Sequence, residues 1–307
     1  MQQGMFTATR RIKGILGLIA LLILTPAAAN GAEKLIIIKS SDNSYYNQTI
    51  QTLMNRLDRA IQVSIVDAAN PGINLSNDYQ NALVIALGMP AVKMAEKSGS
   101  VIPQINAYLT HEQYRQKKSG DSFTLVLDQH PKRYLAFSQF LFQPDSLGLI
   151  TEKSNPLVAN GDELTRDLSV ELNTYLVDKN NKLLPVLRKL LKKDDGLLML
   201  PQRALYNRDS LKGVLLTSYR FRKPVISYSP AHVKAGALAS IYSSPIDIGR
   251  HLGEIVNQHL SEKNKLEKGF VYARYYSITT NRKVAKALGI KIPERSYLLQ
   301  KLSEVKP

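Results

Sequence analysis

Five histidines, His111, His130, His232, His251 and His259, are the first residues to consider for a metal or acid–base site. None stands in an H-E-x-x-H or other metal-ligand spacing. His251 and His259 lie eight apart, close enough to share a helical face, but no third ligand is near them in the sequence. The chain has no cysteine. That excludes a thiolate nucleophile, a disulfide framework, a cysteine-based metal site and a lipid-modified cysteine. There is no G-x-S-x-G elbow, no G-x-x-x-x-G-K-[ST] and no G-x-G-x-x-G after a strand. The pair Asp194–Asp195 sits at a helix end beside Lys192 and Lys193, and reads as a solvated turn rather than a carboxylate dyad. The sequence therefore nominates no catalytic residue, no metal and no cofactor.

What it does nominate is polar residues placed just after apolar runs, a pattern suited to holding a small molecule without changing it. "KSSDNSYY" offers Ser41 and Asn43 beside a helix start, whose N–H groups suit an anionic or polar ligand atom. "ALGMPA" offers Gly88 and Met89, where glycine permits close backbone approach. "TEKSNP" gives Ser154 and Asn155, and "LPQRALY" gives Gln202 and Arg203, the arginine fork matching a carboxylate. "SYSP" and "SIYSSP" add Tyr228, Ser229 and Tyr242, able to stack on or hydrogen-bond a small organic ligand. Each has an ordinary alternative: a helix cap for the serines and asparagines, a tight turn for Gly88, a solvated side chain for Arg203.

These positions are set by alternating elements. "KLIIIKS", "QVSIVDA", "NALVIALG", "PQINAYL" and "SFTLVLD" read as five short, apolar strands. Amphipathic stretches such as "YYNQTIQTLMNRLDR" and "PAVKMAEKSG" fall between them. A second series begins with the helix "PKRYLAFSQFLF" and runs through the strands "SLGLITE", "VELNTYLV", "GLLMLPQ" and "PVISYS" to "GALASIYS". The helix "PIDIGRHLGEIVNQHL" and a final strand–helix pair from Phe270 close the chain. Alternation of this kind predicts α/β architecture: two doubly wound, Rossmann-like lobes with parallel sheets, joined near Asp128 to Pro131. The loops at the strand ends of both lobes then face one cleft. The expected boundaries are 33–128 for the first lobe, with part of 245–275 crossing back, 129–244 for the second, and 270–307 for a strand–helix tail.

Residues 1–32 read as a cleavable signal peptide. Arg10, Arg11 and Lys13 precede an apolar run from Ile15 to Leu24, and Pro26 and Ala27–Ala29 follow it. The run is shorter than the ~20 residues of a membrane span. Cleavage within 29–32 would release a periplasmic protein. The chain carries 41 Lys and Arg against 25 Asp and Glu, a formal charge of +16. The basic residues are spread over "RKLLKKDD", "SYRFRK" and "SEKNKLEK", on helix faces and ends, which argues for a solvated surface and against nucleic acid.

Three stretches resemble one family, the ABC-transporter substrate-binding proteins. "NRKVAKALGIKIPE" is similar to its C-terminal signature through Asn281, Ala285, Leu288, Gly289, Ile290, Ile292 and Pro293. "KPVISYSPAHVKAGALASIYSSPIDIGRHLGEIVNQHL" resembles the preceding block through Pro224, Gly236–Ala239 and the pair Gly249–Arg250. "DQHPKRYLAFSQFLFQPDSLGLITEKSNP" resembles a third through Pro131, Pro144, Gly148, Ser154, Asn155 and Pro156. The resemblance implies the type I periplasmic-binding-protein fold and delivery of a small solute to a membrane permease driven by an ATPase. A sensory role for a membrane receptor, kinase or outer-membrane uptake system is the second expectation. The first lobe departs from the family. The family's His-Pro loop is replaced by "SSDNSYY", and an acidic position is taken by Gln202 or Arg203. The resemblance implies an amino-acid-like solute in some members, but that specificity does not carry over, and an arginine there suits a more anionic solute. The tail reads as a packing helix and strand.

Overall fold

The computed structural model describes residues 34–58, 60–70, 82–97, 103–117, 122–152, 161–178, 182–262 and 266–305. The predicted signal peptide and Ser154 and Asn155 lie outside them.

The first sheet is built from β1 (Lys34–Lys39), β2 (Gln62–Asp67), β3 (Ala82–Leu87), β4 (Gln104–Leu109) and β5 (Phe123–Val126), with α1 (Ser44–Met54), α2 (Met89–Lys97) and α3 (His111–Gln116) between them. The chain then builds the second sheet from β6 (Ser146–Glu152), β7 (Glu171–Val177), β8 (Leu197–Leu198), β9 (Val225–Ser227) and β10 (Ala239–Tyr242). Its helices are α4 (Pro131–Phe142), α5 (Gly161–Thr165), α6 (Leu183–Lys193), α7 (Arg208–Arg220) and α8 (Pro230–Ala235). A long helix, α9 (Pro245–Glu262), returns to the first sheet and leads into β11 (Gly269–Tyr272). The chain crosses once more to β12 (Ser277–Thr280), α10 (Arg282–Leu288) and α11 (Arg295–Ser303). The sheet orders are β11-β5-β4-β3-β1-β2 and β12-β10-β9-β8-β6-β7. Every pairing is parallel except β10 with β12.

The apolar runs form strands because both of their faces are covered. In β1, Leu35 and Ile37 enter one core while Ile36 and Ile38 enter another. In β3, Leu83, Ile85 and Leu87 join the first, and Ala82, Val84 and Ala86 the second. Alternation of side chains across the pleat thus feeds two layers from one uninterrupted apolar run. Helix α9 closes the first layer, placing Ile248, Leu252 and Val256 against β1 and β3 residues. It sits tightly on α1: a Cβ added at Gly249 would lie 2.6 Å from the Thr49 carbonyl oxygen. That is the physical reason for a glycine in the Gly249–Arg250 pair.

Three expectations change. The final strand–helix pair expected from Phe270 holds two strands rather than one, because within "GFVYARYYSITT" β11 and β12 belong to different sheets and residues 273–276 cross between them. In the tail, α10 ends at Gly289 with φ 73, and residues 290–294 form no strand. Ile290 and Ile292 pack on the second-lobe core, and α11 follows. The Asp194–Asp195 turn is solvated only in part, since the Asp195 side chain stays 41% exposed while Asp194 does not. Asp194 is fully buried and accepts from Asn173 Nδ2 (2.8 Å) and Tyr175 Oη (2.7 Å). Asp195 accepts from the Asp145 and Ser146 N–H groups and pairs with Lys223 at 3.3 Å. Both carboxylates are spent tying the starts of β6 and β8 to their neighbours.

Candidate functional site

The chain passes between the sheets at residues 127–130, 243–244 and 273–276. A polar knot ties the three crossings together. Gln129 Nε2 donates to Ser243 Oγ (2.6 Å) and to the Tyr275 carbonyl (3.1 Å). Ser243 Oγ donates to the Leu127 carbonyl at 3.1 Å. Arg133 Nη1 donates to Gln129 Oε1 and, at 3.0 Å, to the Ala273 carbonyl, and its guanidinium lies 4.8 Å from the Tyr276 ring centre. Gln129 and Arg133 are both buried, so these bonds satisfy groups that water does not reach. Beside the knot, Asp247 Oδ2 accepts from the Ser244 N–H and hydroxyl and from Ser277 Oγ (2.8 Å).

Above this knot lies a cavity of about 290 Å³. The first lobe walls it with His111, Glu112, Arg115 and Gln116 of α3, with Asp128 after β5, and with Tyr272 of β11. The second walls it with Glu152 at the end of β6 and with Leu200, Pro201, Gln202, Ala204 and Leu205 after β8. Gln129 and Pro131 form the floor. The walls thus come from the carboxyl ends of strands in both sheets, where open α/β folds leave their loops free.

Helix α3 exists because Thr110 and Gln113 form a reciprocal cap: the Thr110 hydroxyl accepts from the Gln113 N–H, and the Gln113 amide accepts from the Thr110 N–H. Asp128 fixes the start of the same helix by accepting from the His111 N–H through Oδ2. Asp128 is 8% exposed. Burial pushes its carboxyl up to about 7, helped by the nearby Glu112 charge and opposed by the His111 hydrogen bond. The same burial holds His111 below its ordinary value, with Arg115 adding to it. His130, which caps α4, is lowered to about 4 by burial and by Arg133 and Lys132. Tyr272 is raised to about 12, by burial first and then by the Asp128 charge. His111, Phe270 and Tyr272 pack edge and face, with His111 and Phe270 ring centres 4.5 Å apart.

Of the residues picked from sequence, Gln202 lines this cavity. Its Oε1 accepts from Thr151 Oγ1 (2.7 Å) and its Nε2 donates to the Ile150 carbonyl (3.1 Å). Arg203 is exposed and does not line the cavity, although both its neighbours do, because the turn after Gln202 carries its side chain to solvent. The others serve local structure. Asn43 caps α1 by accepting from the Tyr46 N–H and donates to Ser41 Oγ. Gly88 has φ 87, and a Cβ there would lie 2.5 Å from Tyr46 Oη. Met89 begins α2 and packs on the β1 and β3 core. Ser229 caps α8, Tyr228 lies 4.8 Å from His232 ring to ring, and Tyr242 Oη meets Thr279 Oγ1 at 3.3 Å. Missed were α3 and Asp128. The T-x-x-Q capping box at Thr110–Gln113 is a readable sign of that helix start.

Among the described residues no group of His, Asp or Glu is arranged to hold a metal ion, and no helix is long and apolar enough to cross a membrane. Solved structures share this architecture. A ligand-free, open substrate-binding protein with adhesive properties from Clostridium difficile is 17% identical, with a TM-score of 0.64 over 86% of this chain and 97% of that one. An ABC domain from Streptococcus pneumonia in complex with L-Trp is 18% identical, with a TM-score of 0.53 over 88% and 98%. A conserved domain protein of Vibrio cholerae is 15% identical, with the same score and coverage. No curated protein matches the chain. The fold is therefore that of the type I periplasmic binding proteins, with two parallel-dominated sheets each flanked by helices. The family model described as ABC transporter substrate binding protein matches residues 151–306, half of the chain, and the chain belongs to that family.

Proposed function

We propose that the protein captures a small organic solute between its lobes and hands it to an ATP-driven uptake permease in the inner membrane. The observation that carries this reading is the cavity walled by strand ends of both sheets and floored by the three crossings. Residues 33–128 with α9 and β11 form one moving body in this reading, and residues 129–244 with β12, α10 and α11 the other. A solute touching both walls binds the closed arrangement better than the open one, and that difference in contact energy drives closure. The volume is near the lower end of the ~300–1,000 Å³ usual for small-molecule sites. Support also comes from the family and from the L-Trp held by the Streptococcus pneumonia relative. Residues 1–32 act as a cleavable export signal, placing the rest of the chain in the periplasm.

The test is a thermal-shift screen of the purified protein against fractionated metabolite extract, followed by small-angle scattering with the active fraction. A solute bound at 100 times its Kd adds about 2.7 kcal/mol to the folded state. The expected result is a raised Tm and a smaller radius of gyration. A protein that no fraction stabilises does not work this way. Uptake of the solute in cells lacking the protein then separates transport from sensing: unchanged uptake assigns a sensory role.

A further inference from the structure

The cavity is acidic in a basic protein. The chain carries a formal charge of +16, yet among the described residues Glu112, Asp128 and Glu152 line the cavity against one arginine, Arg115; Arg115 and Glu152 are both exposed. Among the described residues none of these three carboxylates takes part in a salt bridge. Asp128 is the buried one. Its Oδ2 accepts from the His111 N–H, while among the described residues no donor meets Oδ1, which is not sealed in the core. A carboxylate more than nine-tenths buried that lines a cavity and keeps one oxygen accessible there, with no protein donor on it, is placed to take a donor from a bound solute.

We propose, resting on the solute-capture reading above, that the cavity selects an organic cation, a solute with a protonated amine and no carboxylate to balance it, and that Asp128 pairs with the amine. The ammonium N–H donates to Asp128 Oδ1, the Tyr272 ring offers its face to the positive charge, and Glu112 and Glu152 add to the negative potential. Leu200 and Leu205 cover the apolar remainder. The groups facing Asp128 favour a cation over an anion. From α3 come His111, held neutral by burial and by Arg115, and Glu112, a second negative charge. Three tyrosines from other elements, Tyr134 of α4, Tyr272 of β11 and Tyr228 after β9, all stay protonated beside the Asp128 charge. His130, packed on Tyr272, is neutral at neutral pH.

Pairing with an ammonium needs the carboxylate, so capture below the carboxyl's value of about 7 releases a proton to solvent. The ionised fraction rises from about a tenth at pH 6 to about nine tenths at pH 8, so affinity should rise roughly tenfold over that interval.

The experiment separates metabolite extract at pH 7 into a fraction kept by a cation exchanger, a fraction kept by an anion exchanger, and a flow-through holding neutral and zwitterionic solutes. Each is added to the solute-stripped protein and to Asp128→Asn at pH 6 and pH 8, and Tm is read. The proposal expects stabilisation by the cation fraction, larger at pH 8, and its loss in Asp128→Asn, whose own melt reports that it folds. Stabilisation by the anion fraction or the flow-through alone overturns it, as does an Asp128→Asn protein that keeps the full shift. Stabilisation by no fraction removes the solute-capture reading itself, and this inference with it.

Discussion

The two walls of the cavity differ in kind. The first lobe contributes mostly polar and charged side chains: His111, Glu112, Arg115, Gln116, Asp128 and Tyr272. The second contributes Leu200, Pro201, Ala204 and Leu205, with Glu152 at its rim. Its one amide, Gln202, already makes two bonds to β6. The second wall is therefore fixed by packing before any solute arrives, while the first holds a buried carboxyl whose ionisation is still open. Most of the shape comes from one lobe and, Glu152 apart, the charge from the other.

The largest test of that contrast is the free protein's own stability. In Asp128 the folded-state value, about 7, lies above the ordinary 3.8, so the folded chain holds the proton across that window while the unfolded chain has lost it. The sign follows: the carboxyl's contribution is fully present below 3.8 and is lost as pH rises through about 7. Asp128→Asn keeps an acceptor for the His111 N–H and removes the cost of ionisation. It should stabilise the solute-free protein at pH 8 by on the order of 3 kcal/mol, and by less at pH 5. Denaturant melts of both proteins across pH measure this, and a gain over the wild type no larger at pH 8 than at pH 5 breaks the comparison.

Next comes the knot beneath both walls. Arg133→Met strips the donors from Gln129 Oε1 and the Ala273 carbonyl in a buried place. It should cost about 2–3 kcal/mol and weaken capture whatever the charge of the solute. A urea midpoint unchanged from the wild type would mean that the crossings hold without it. Thr151→Val acts on the second wall alone. It leaves Gln202 Oε1 without its donor and should cost about 1–2 kcal/mol, with no change in pH dependence. A shifted pH profile in that variant would show that the walls are coupled. The smallest effect belongs to Arg203→Ala, an exposed side chain outside the cavity, expected within about 0.5 kcal/mol in stability and unchanged in solute affinity by calorimetry.

Much of the architecture was legible from the chain because it depends on local pattern. The run "KLIIIKS" becomes β1 with Leu35–Ile38 all buried, and Asn281 and Gly289 cap the two ends of α10. The β/α alternation of these runs also yields two parallel-dominated sheets. The site was less legible. Asn43 and Ser229 serve as caps, an alternative the sequence left open, and Ser41 accepts from the Asn43 side chain, while the short α3 passed unread despite its Thr110–Gln113 box.

By itself, then, the sequence settled where strands and helices form and which family the chain resembles, since apolar periodicity, caps and motif spacing act over a few residues. It could not settle that "GFVYARYYSITT" divides between sheets, since each half has the same local preference and only strand partners hundreds of atoms away distinguish them. Nor could it separate Gln202 from Arg203, adjacent residues of which one lines the cavity and the other meets water. Asp128 is the sharpest case. Its residue type predicts an ordinary surface acid, and its burial, its open oxygen and its raised affinity for a proton come from α3, α4 and β11 closing around it. Desolvation is a property of surroundings assembled from distant parts of the chain, and only the fold supplies them.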